Sequence, residues 1–322
     1  MSKGLTPGVS ELTSSPLLSV VVPVYGCVDS LPELVQRVVS AAVEADWAAE
    51  VVLVDDCSPD DSWSTIESLV SSRSDVVGVR LSRNFGQHAA ITAGLATCKG
   101  QKVVVMDCDL QDPPELIPEM LGLAVEYDVV LGRRLGNYQS RPRLLLANIY
   151  NRLVSTLAGA QFDPAIGTFS LIDRKVVDAF LTLGEQDRHF IFAILWLGFK
   201  QTTIDFQRQP RSVGASSYTL RRRLGHAVQG IMFQNTRFLS LIVYTGFTTA
   251  ALGSALGIYT IVRRITASTL PGWTSTVALL LFVFGTLVTV QGVIGLYIGR
   301  IFQEAKGRPL YLIDHVRPTP KP

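Results

Sequence analysis

The sequence has little histidine and little cysteine, 4 of each among 322 residues. Cys27, Cys57, Cys98 and Cys108 form no CxxC pair, and none stands at metal-ligand spacing from a histidine, so a zinc module is excluded. Scattered reduced thiols are the expectation. His88, His189, His226 and His315 fall into no catalytic pattern and are expected to be structural or surface groups. No GxGxxG follows the first strand-like run and no GxxxxGK[ST] occurs, which argues against a dinucleotide fold and a P-loop. A formal net charge of +2 provides no basic surface of the kind that nucleic-acid binding needs. Residues 1–17 are polar, rich in Ser, Thr, Gly and Pro, and without an apolar h-region; they are expected to be a disordered lead-in rather than a cleaved signal.

What is present is apolar. Hydrophobic residues make up 48% of the chain, and the mean hydropathy of +0.30 is high for a soluble enzyme. The excess is local, lying between about Phe238 and Gly299, whereas the first 230 residues or so read as an ordinary soluble domain.

In that first part, near-continuous apolar strands alternate with helical patterns. Strands are expected at Ser19–Tyr25, Glu50–Asp56, Val76–Leu81, Lys102–Met106 and Tyr127–Gly132. Helices are expected at Leu31–Ala45, Ser62–Ser71, Gln87–Thr97 and about Pro114–Val125. This order predicts an α/β fold with a mostly parallel sheet covered on both faces. Ligands in such sheets bind beyond the carboxyl ends of the strands. Three of those ends carry ligand-like groups: Pro23-Val24-Tyr25, Asp55-Asp56-Cys57-Ser58, and Asp107-Cys108-Asp109.

The third is the most informative. Asp107-Cys108-Asp109-Leu110-Gln111-Asp112-Pro113-Pro114-Glu115 leaves the strand Lys102–Met106 directly. Two carboxylates at i and i+2 there can turn toward one point, a seat for Mg²⁺ or Mn²⁺, which prefer hard oxygen ligands. A cation held by so few protein groups usually also holds substrate phosphates, which suggests a nucleotide-diphosphate site.

The C-terminal part differs. Phe238–Val262 and Ser275–Gly299 each run 25 residues without a charge, more than the ~20 needed to span a bilayer core. Gly253 and Gly257 form a small-xxx-small pair suited to close helix packing. The short loop Arg263–Thr274 makes the pair a hairpin. Its outer flanks hold 7 Arg and Lys residues against 2 in the loop, which places the flanks in the cytoplasm. Residues 218–237, with Arg221-Arg222-Arg223, read as an interfacial amphipathic helix, and Leu144–Leu157 as a second such helix or a buried one.

Taken together, Pro23-Val24-Tyr25, Val54-Asp55-Asp56-Cys57-Ser58-Pro59-Asp60, Arg83-Asn84-Phe85-Gly86-Gln87, the Asp107–Glu115 run and the two spans resemble the family 2 glycosyltransferases that act on polyprenyl phosphate. Dolichyl-phosphate mannose synthases and bactoprenol-phosphate glucosyltransferases belong to that group. The likeness runs from about Leu18 to Ile313 and includes Gly307-Arg308-Pro309-Leu310-Tyr311. It implies a GT-A nucleotide-sugar-binding fold followed by a two-helix transmembrane hairpin. The expected division is a catalytic domain at 18–217, an interfacial helix at 218–237, spans at about 238–262 and 275–299, and a cytoplasmic tail at 300–322.

The implied reaction is inverting transfer of a hexose-type sugar from a nucleotide-diphosphate sugar, UDP-linked by preference, to a polyprenyl-phosphate lipid in the cell membrane, for cell-envelope glycan modification. By the same resemblance Pro23, Tyr25, Asp55, Asp56 and Arg83 bind the nucleotide, and Asp107, Asp109 and Gln111 hold Mg²⁺ or Mn²⁺. Arg133 and Arg211 join Asp107 and Asp109 in catalysis, and Arg134 and Ser216 bind the acceptor phosphate. A homo-oligomer, such as a tetramer, is also implied. The chemistry agrees: a diphosphate leaving group needs its charge neutralised, and a phosphate acceptor is already an anion that needs positioning more than deprotonation. Relatives often carry Asp-Phe-Arg where this chain has Thr168-Phe169-Ser170, and Lys where it has Ser217. These departures suggest a different sugar or subgroup. They also leave open a membrane-anchored nucleotide-sugar-binding scaffold without turnover. A processive polysaccharide synthase fits less well, because the Gln-x-x-Arg-Trp motif is missing.

Overall fold

The computed structural model of the protein describes residues 17–135, 163, 165–185, 188–207 and 273–317. The chain opens with β1 (Leu17–Val24), α1 (Leu31–Glu44), β2 (Ala48–Asp55), α2 (Ser62–Ser72), β3 (Val76–Leu81), α3 (Gln87–Thr97) and β4 (Lys102–Val105). A single 3-10 turn, Pro114–Leu116, leads into α4 (Ile117–Leu123) and β5 (Val129–Leu135). Then come β6 (Ile166–Asp173), α5 (Arg174–Thr182), α6 (Phe190–Trp196), β7 (Gln201–Gln207), α7 (Trp273–Ala305) and β8 (Ile313–Arg317).

The strands form one sheet in the order β7-β5-β6-β4-β1-β2-β3-β8. The pairs β1/β2, β1/β4, β2/β3 and β5/β7 are parallel; β4/β6, β5/β6 and β3/β8 are antiparallel. The expected α/β class holds, with a sheet that is mixed rather than wholly parallel. Three of its strands, β6, β7 and β8, were not expected.

The apolar runs are continuous because both faces are covered. Successive side chains of a strand point to opposite faces. Leu18, Val20, Val22 and Val24 of β1, with Val51 and Leu53 of β2, pack with Leu31, Leu34 and Val35 of α1, Ile66 of α2 and Met120 of α4. Val21, Val52 and Val54 face the other way, toward Ala90 and Ile91 of α3, Phe180 of α5 and Phe190 of α6. Each fully buried Val, Leu or Phe contributes about 1.5–3 kcal/mol. α3 packs tightly on the sheet: a Cβ on Gly94 would collide with the Val21 side chain.

α7 is a single helix of 33 residues whose side chains are described in part. It contains the whole uncharged run Ser275–Gly299. Counted over the described side chains alone, no helix is long and apolar enough to cross a membrane; the full uncharged run within α7 is long enough to do so. The other expected span, 238–262, the helices expected at 218–237 and 144–157, and Arg211, Ser216 and Ser217 lie outside the described residues. After Gly307 (φ 57°) the chain returns to the sheet: β8 pairs with β3, Leu312 O accepts from Ser82 N at 2.9 Å, and Arg317 pairs with Glu67 at 3.1 Å.

Candidate active site

The carboxyl ends of β1, β2 and β4 lie side by side in the sheet, so their following loops share one edge. After β1, Tyr25 stands 53% exposed, and Gly26 takes a left-handed φ of 71°. After β2, Asp55 and Asp56 are both buried. Asp55 accepts from Ser58 N at 3.0 Å and lies 3.4 Å from Arg80 Nε. Asp56 accepts from Phe85 N at 2.7 Å and Gly86 N at 2.8 Å. Burial pushes the Asp56 carboxyl above its usual range, against the pull of those two N–H groups and of Arg83. Asp56 therefore builds the loop that carries Arg83, whose guanidinium sits 4.3 Å above the Phe85 ring.

At the end of β4, Asp107 is held from two sides. Its Oδ1 accepts from Gln87 Nε2 at 2.7 Å and from Thr168 Oγ1 at 2.9 Å, and Arg134 lies 4.0 Å from its Oδ2. Asp109 Oδ1 accepts from Gln111 N at 3.2 Å. Between them the loop turns through Leu110 at φ 58°, a conformation costly for a residue with a side chain. Cys57, after β2, is likewise at φ 55°. Strained backbone thus flanks the site on two loops. Asp112, fully buried, accepts from Asp107 N at 3.3 Å and lies 3.8 Å from Arg134. Glu115, last of the acidic run, turns away to a bidentate pair with Arg37 of α1 at 2.7 and 2.9 Å.

Arg133 and Arg134 are neighbours on β5, so alternation separates them. Arg133 makes a bidentate pair with Asp205 of β7 at 2.5 and 2.8 Å. Arg134 turns to Asp107 and Asp112, and its Nε is buried without a hydrogen-bond partner. Gly167 makes the room: a Cβ there would overlap the Arg134 guanidinium. Of the expected site residues, Asp107, Asp109 and Gln111 lie in the loop after β4, toward which Arg134 of β5 reaches; Tyr25, Asp55 and Asp56 stand at the ends of β1 and β2, and Arg83 follows β3. Pro23 lies inside β1 itself. Gln87, Thr168 and Gly167 were missed. Gln87 was legible as the last residue of the Arg83–Gln87 motif, whereas only tertiary pairing brings Thr168 to Asp107.

The cysteines depart from expectation. Cys27 and Cys108 form a disulfide with Cα atoms 6.2 Å apart, across 81 residues of sequence. Sequence spacing cannot reveal this pairing, which arises because the loops after β1 and β4 are neighbours. Cys57 and Cys98 are free thiols. The His88 and His189 rings lie 4.1 Å apart between centroids, tilted by 47°, and His88 Nδ1 accepts from Phe190 N at 3.4 Å.

Residues 19–181 match the family described as glycosyl transferase family 2, and the chain belongs to that family. A Synechocystis protein described as an uncharacterized glycosyltransferase is 33% identical over 92% of this chain and 94% of its own length. The undecaprenyl-phosphate 4-deoxy-4-formamido-L-arabinose transferase of Aeromonas hydrophila is 33% identical over 94% of this chain and 95% of its own. Among solved structures, glucosyl-3-phosphoglycerate synthase of Mycobacterium tuberculosis superposes with a TM-score of 0.48 at 17% identity, covering 67% of this chain and 76% of that one.

Proposed function

We propose that the protein transfers a hexose-type sugar from a nucleotide-diphosphate donor, UDP-linked by preference, to polyprenyl phosphate with inversion at the anomeric carbon. The observation that carries this reading is the pairing, at the carboxyl end of β4, of a firmly held carboxylate, Asp107, with the loosely engaged guanidinium of Arg134. The acceptor class is supported by the name of the Aeromonas relative, which matches nearly the full chain. Undecaprenyl phosphate is the acceptor we favour.

Tyr25 offers an exposed ring for the base, and Arg83, raised on the loop that Asp56 organises, adds charge beside it. Among the described residues no group of three or more His, Cys, Asp or Glu gathers as a metal site. The expected set is smaller, two carboxylates and an amide. Gln111 fits it, because its Oε1 is buried and has no hydrogen-bond partner. Asp107, Asp109 and Gln111 would hold Mg²⁺ or Mn²⁺, which when bound neutralises charge on the departing diphosphate. Arg134 supplies protein charge at the same place. An oxygen of the lipid phosphate attacks the anomeric carbon from the face opposite the diphosphate, the glycosidic C–O bond breaks, and nucleoside diphosphate leaves. The acceptor is already an anion, so no strong base is required, and the His88–His189 pair is free to serve packing.

A membrane location follows from the same reading. Leu280, Leu287, Ile294, Ile298 and Ile301 stand exposed along α7, which suits a lipid-facing helix. The catalytic domain and the tail are placed on the cytoplasmic side by the charge asymmetry of the flanks. Assembly into a homo-oligomer through the spans belongs to the proposal as well.

The test is a detergent assay with polyprenyl phosphate, Mn²⁺ or Mg²⁺, and a panel of radiolabelled UDP- and GDP-sugars, with label scored in the organic phase. Chelator-sensitive lipid label from one donor is expected, and it names the sugar. No label from any donor while calorimetry still detects donor binding would favour a non-catalytic binding protein.

A further inference from the structure

The bond between Cys27 and Cys108 has no place in the transfer reaction, yet it ties together the two loops expected to hold opposite ends of the donor. Cys27 lies two residues after Tyr25, and Cys108 stands between Asp107 and Asp109. We propose that Cys27 and Cys108 form a reversible thiol–disulfide site that latches the Asp107–Asp112 loop to the loop after β1 and makes donor binding sensitive to thiol redox state.

Three observations support reversibility and effect. First, the bond is not the sole link between the loops: Ser30 Oγ lies 2.6 Å from Cys108 O and 3.0 Å from Cys27 O, and its single proton bridges toward both carbonyls. Second, access is asymmetric. Cys108 is 8% exposed, whereas Cys27 is only partly buried and is the thiol that a small disulfide can reach. Third, the latch fixes the residue between the two carboxylates. In the bridged arrangement Asp107 Oδ1 is tied to Gln87 and Thr168, while Asp109 Oδ1 is turned back onto Gln111 N of its own loop. Cys108 stands between the two carboxylates in sequence, so a rearrangement of this loop around a cation moves the bridged residue.

The exchange balances with a low-molecular-weight disulfide as oxidant. The Cys27 thiolate attacks one sulfur of the disulfide, forming a mixed disulfide and expelling one thiolate. The Cys108 thiolate then attacks the Cys27 sulfur, closes the bridge and expels the second. Two electrons pass from the protein dithiol to the small disulfide, which leaves as two thiols carrying the two protons. A small dithiol reverses the sequence.

The effect on donor binding rests on the proposed function; the formation of the latch does not. The experiment uses the full chain in detergent, treated with oxidised glutathione or with dithiothreitol. Bridging is mapped on non-reduced peptides, hydrogen exchange is followed over residues 106–112, and UDP with Mn²⁺ is titrated by calorimetry. Expected are a Cys27–Cys108 peptide after oxidation alone, at least threefold slower exchange in the bridged form, and at least threefold tighter UDP–Mn²⁺ binding in the reduced form. Cys27→Ser should match the reduced protein under both treatments, with Cys27→Ala as the alternative should the first variant fold poorly. Absence of the bridged peptide, or equal exchange and affinity in the two forms, overturns the proposal. Should the reduced protein bind neither UDP nor GDP, the donor reading fails, and the peptide map with the exchange rates still decides whether the latch exists.

Discussion

Thr168 Oγ1 donates a 2.9 Å hydrogen bond to Asp107 Oδ1, joining β6 to the loop after β4. The residue that stands where relatives often have a carboxylate has thus become a donor to the carboxylate of the acidic motif. Together with Gln87 Nε2 at 2.7 Å it fixes Oδ1 and leaves Oδ2 toward Arg134. Partners of this kind orient a ligand without touching the cation, and losing one typically costs about 10–100-fold in metal affinity. Thr168→Val keeps the shape and removes the donor. We expect about a tenfold rise in the Mn²⁺ concentration for half-maximal turnover, with kcat largely restored at saturating Mn²⁺. An unchanged metal dependence would make the bond a packing detail.

Asp109 tests the metal assignment more directly. Its Oδ1 accepts from Gln111 N within the same loop. Asp109→Asn keeps an acceptor oxygen but removes the charge, and a hard divalent cation prefers a carboxylate. Turnover should fall by at least about 10²-fold, in line with losing several kcal/mol of charge stabilisation. Circular dichroism of the variant checks that the fold is retained. Full turnover in this variant would remove Asp109 from the metal set.

Much of this arrangement was legible. The apolar runs and their spacing yielded β1 to β5 and α1 to α4, because local periodicity decides such elements. The sharing of one edge by Tyr25, Asp56 and Asp107 followed from the parallel-sheet rule alone. What escaped depends on register and on distant pairing. β6, β7 and β8 carry polar residues or lie beyond regions of strong periodicity, and their places in the sheet come from partners such as Val104 for Leu171 and Val79 for Val316. Arg133 and Arg134 look equivalent in sequence, yet a one-residue step on β5 sends the first to Asp205 and the second to Asp107. The Cys27–Cys108 pair was hidden because 81 residues separate its members.

Glu115 is a motif residue with a structural task. The resemblance includes it in the acidic run, but its carboxylate grips Arg37 of α1 through two hydrogen bonds. That bond is the main cause holding Glu115 below the usual Glu range, and burial opposes it only in part. A carboxyl depressed in the folded state contributes stability above its unfolded pKa, near 4.3. The contribution is lost as pH falls through the lower folded value. The pair is half exposed, so Glu115→Gln should cost less than about 1 kcal/mol at pH 7. The cost should vanish in acid, below the folded pKa, with turnover nearly unaffected. Thermal melts of both proteins across pH 3–7 check the sign: a gap that widens toward acid would contradict it.

Gly167 tests the role of Arg134 without altering that residue. A Cβ at this position would overlap the Arg134 guanidinium, whose Nη2, Cζ and Nε are the three atoms nearest to it. The colliding atoms are the far end of a long side chain, so the strain is relieved by swinging Arg134 away rather than by opening the sheet. The backbone at Gly167 is not in the left-handed region, and alanine can adopt it. Gly167→Ala should therefore keep the fold but lose stability to about the extent that Arg134→Gln does, since both withdraw the guanidinium from the buried Asp112. Turnover should fall by about 10²-fold, the loss typical of a charged group moved by about an ångström. Arg134→Gln should reproduce that loss, and the double variant should be no worse than either single one, because both remove the same guanidinium from Asp107 and Asp112. Additive losses would mean that Gly167 acts through some other group and that Arg134 is not the charge the site depends on.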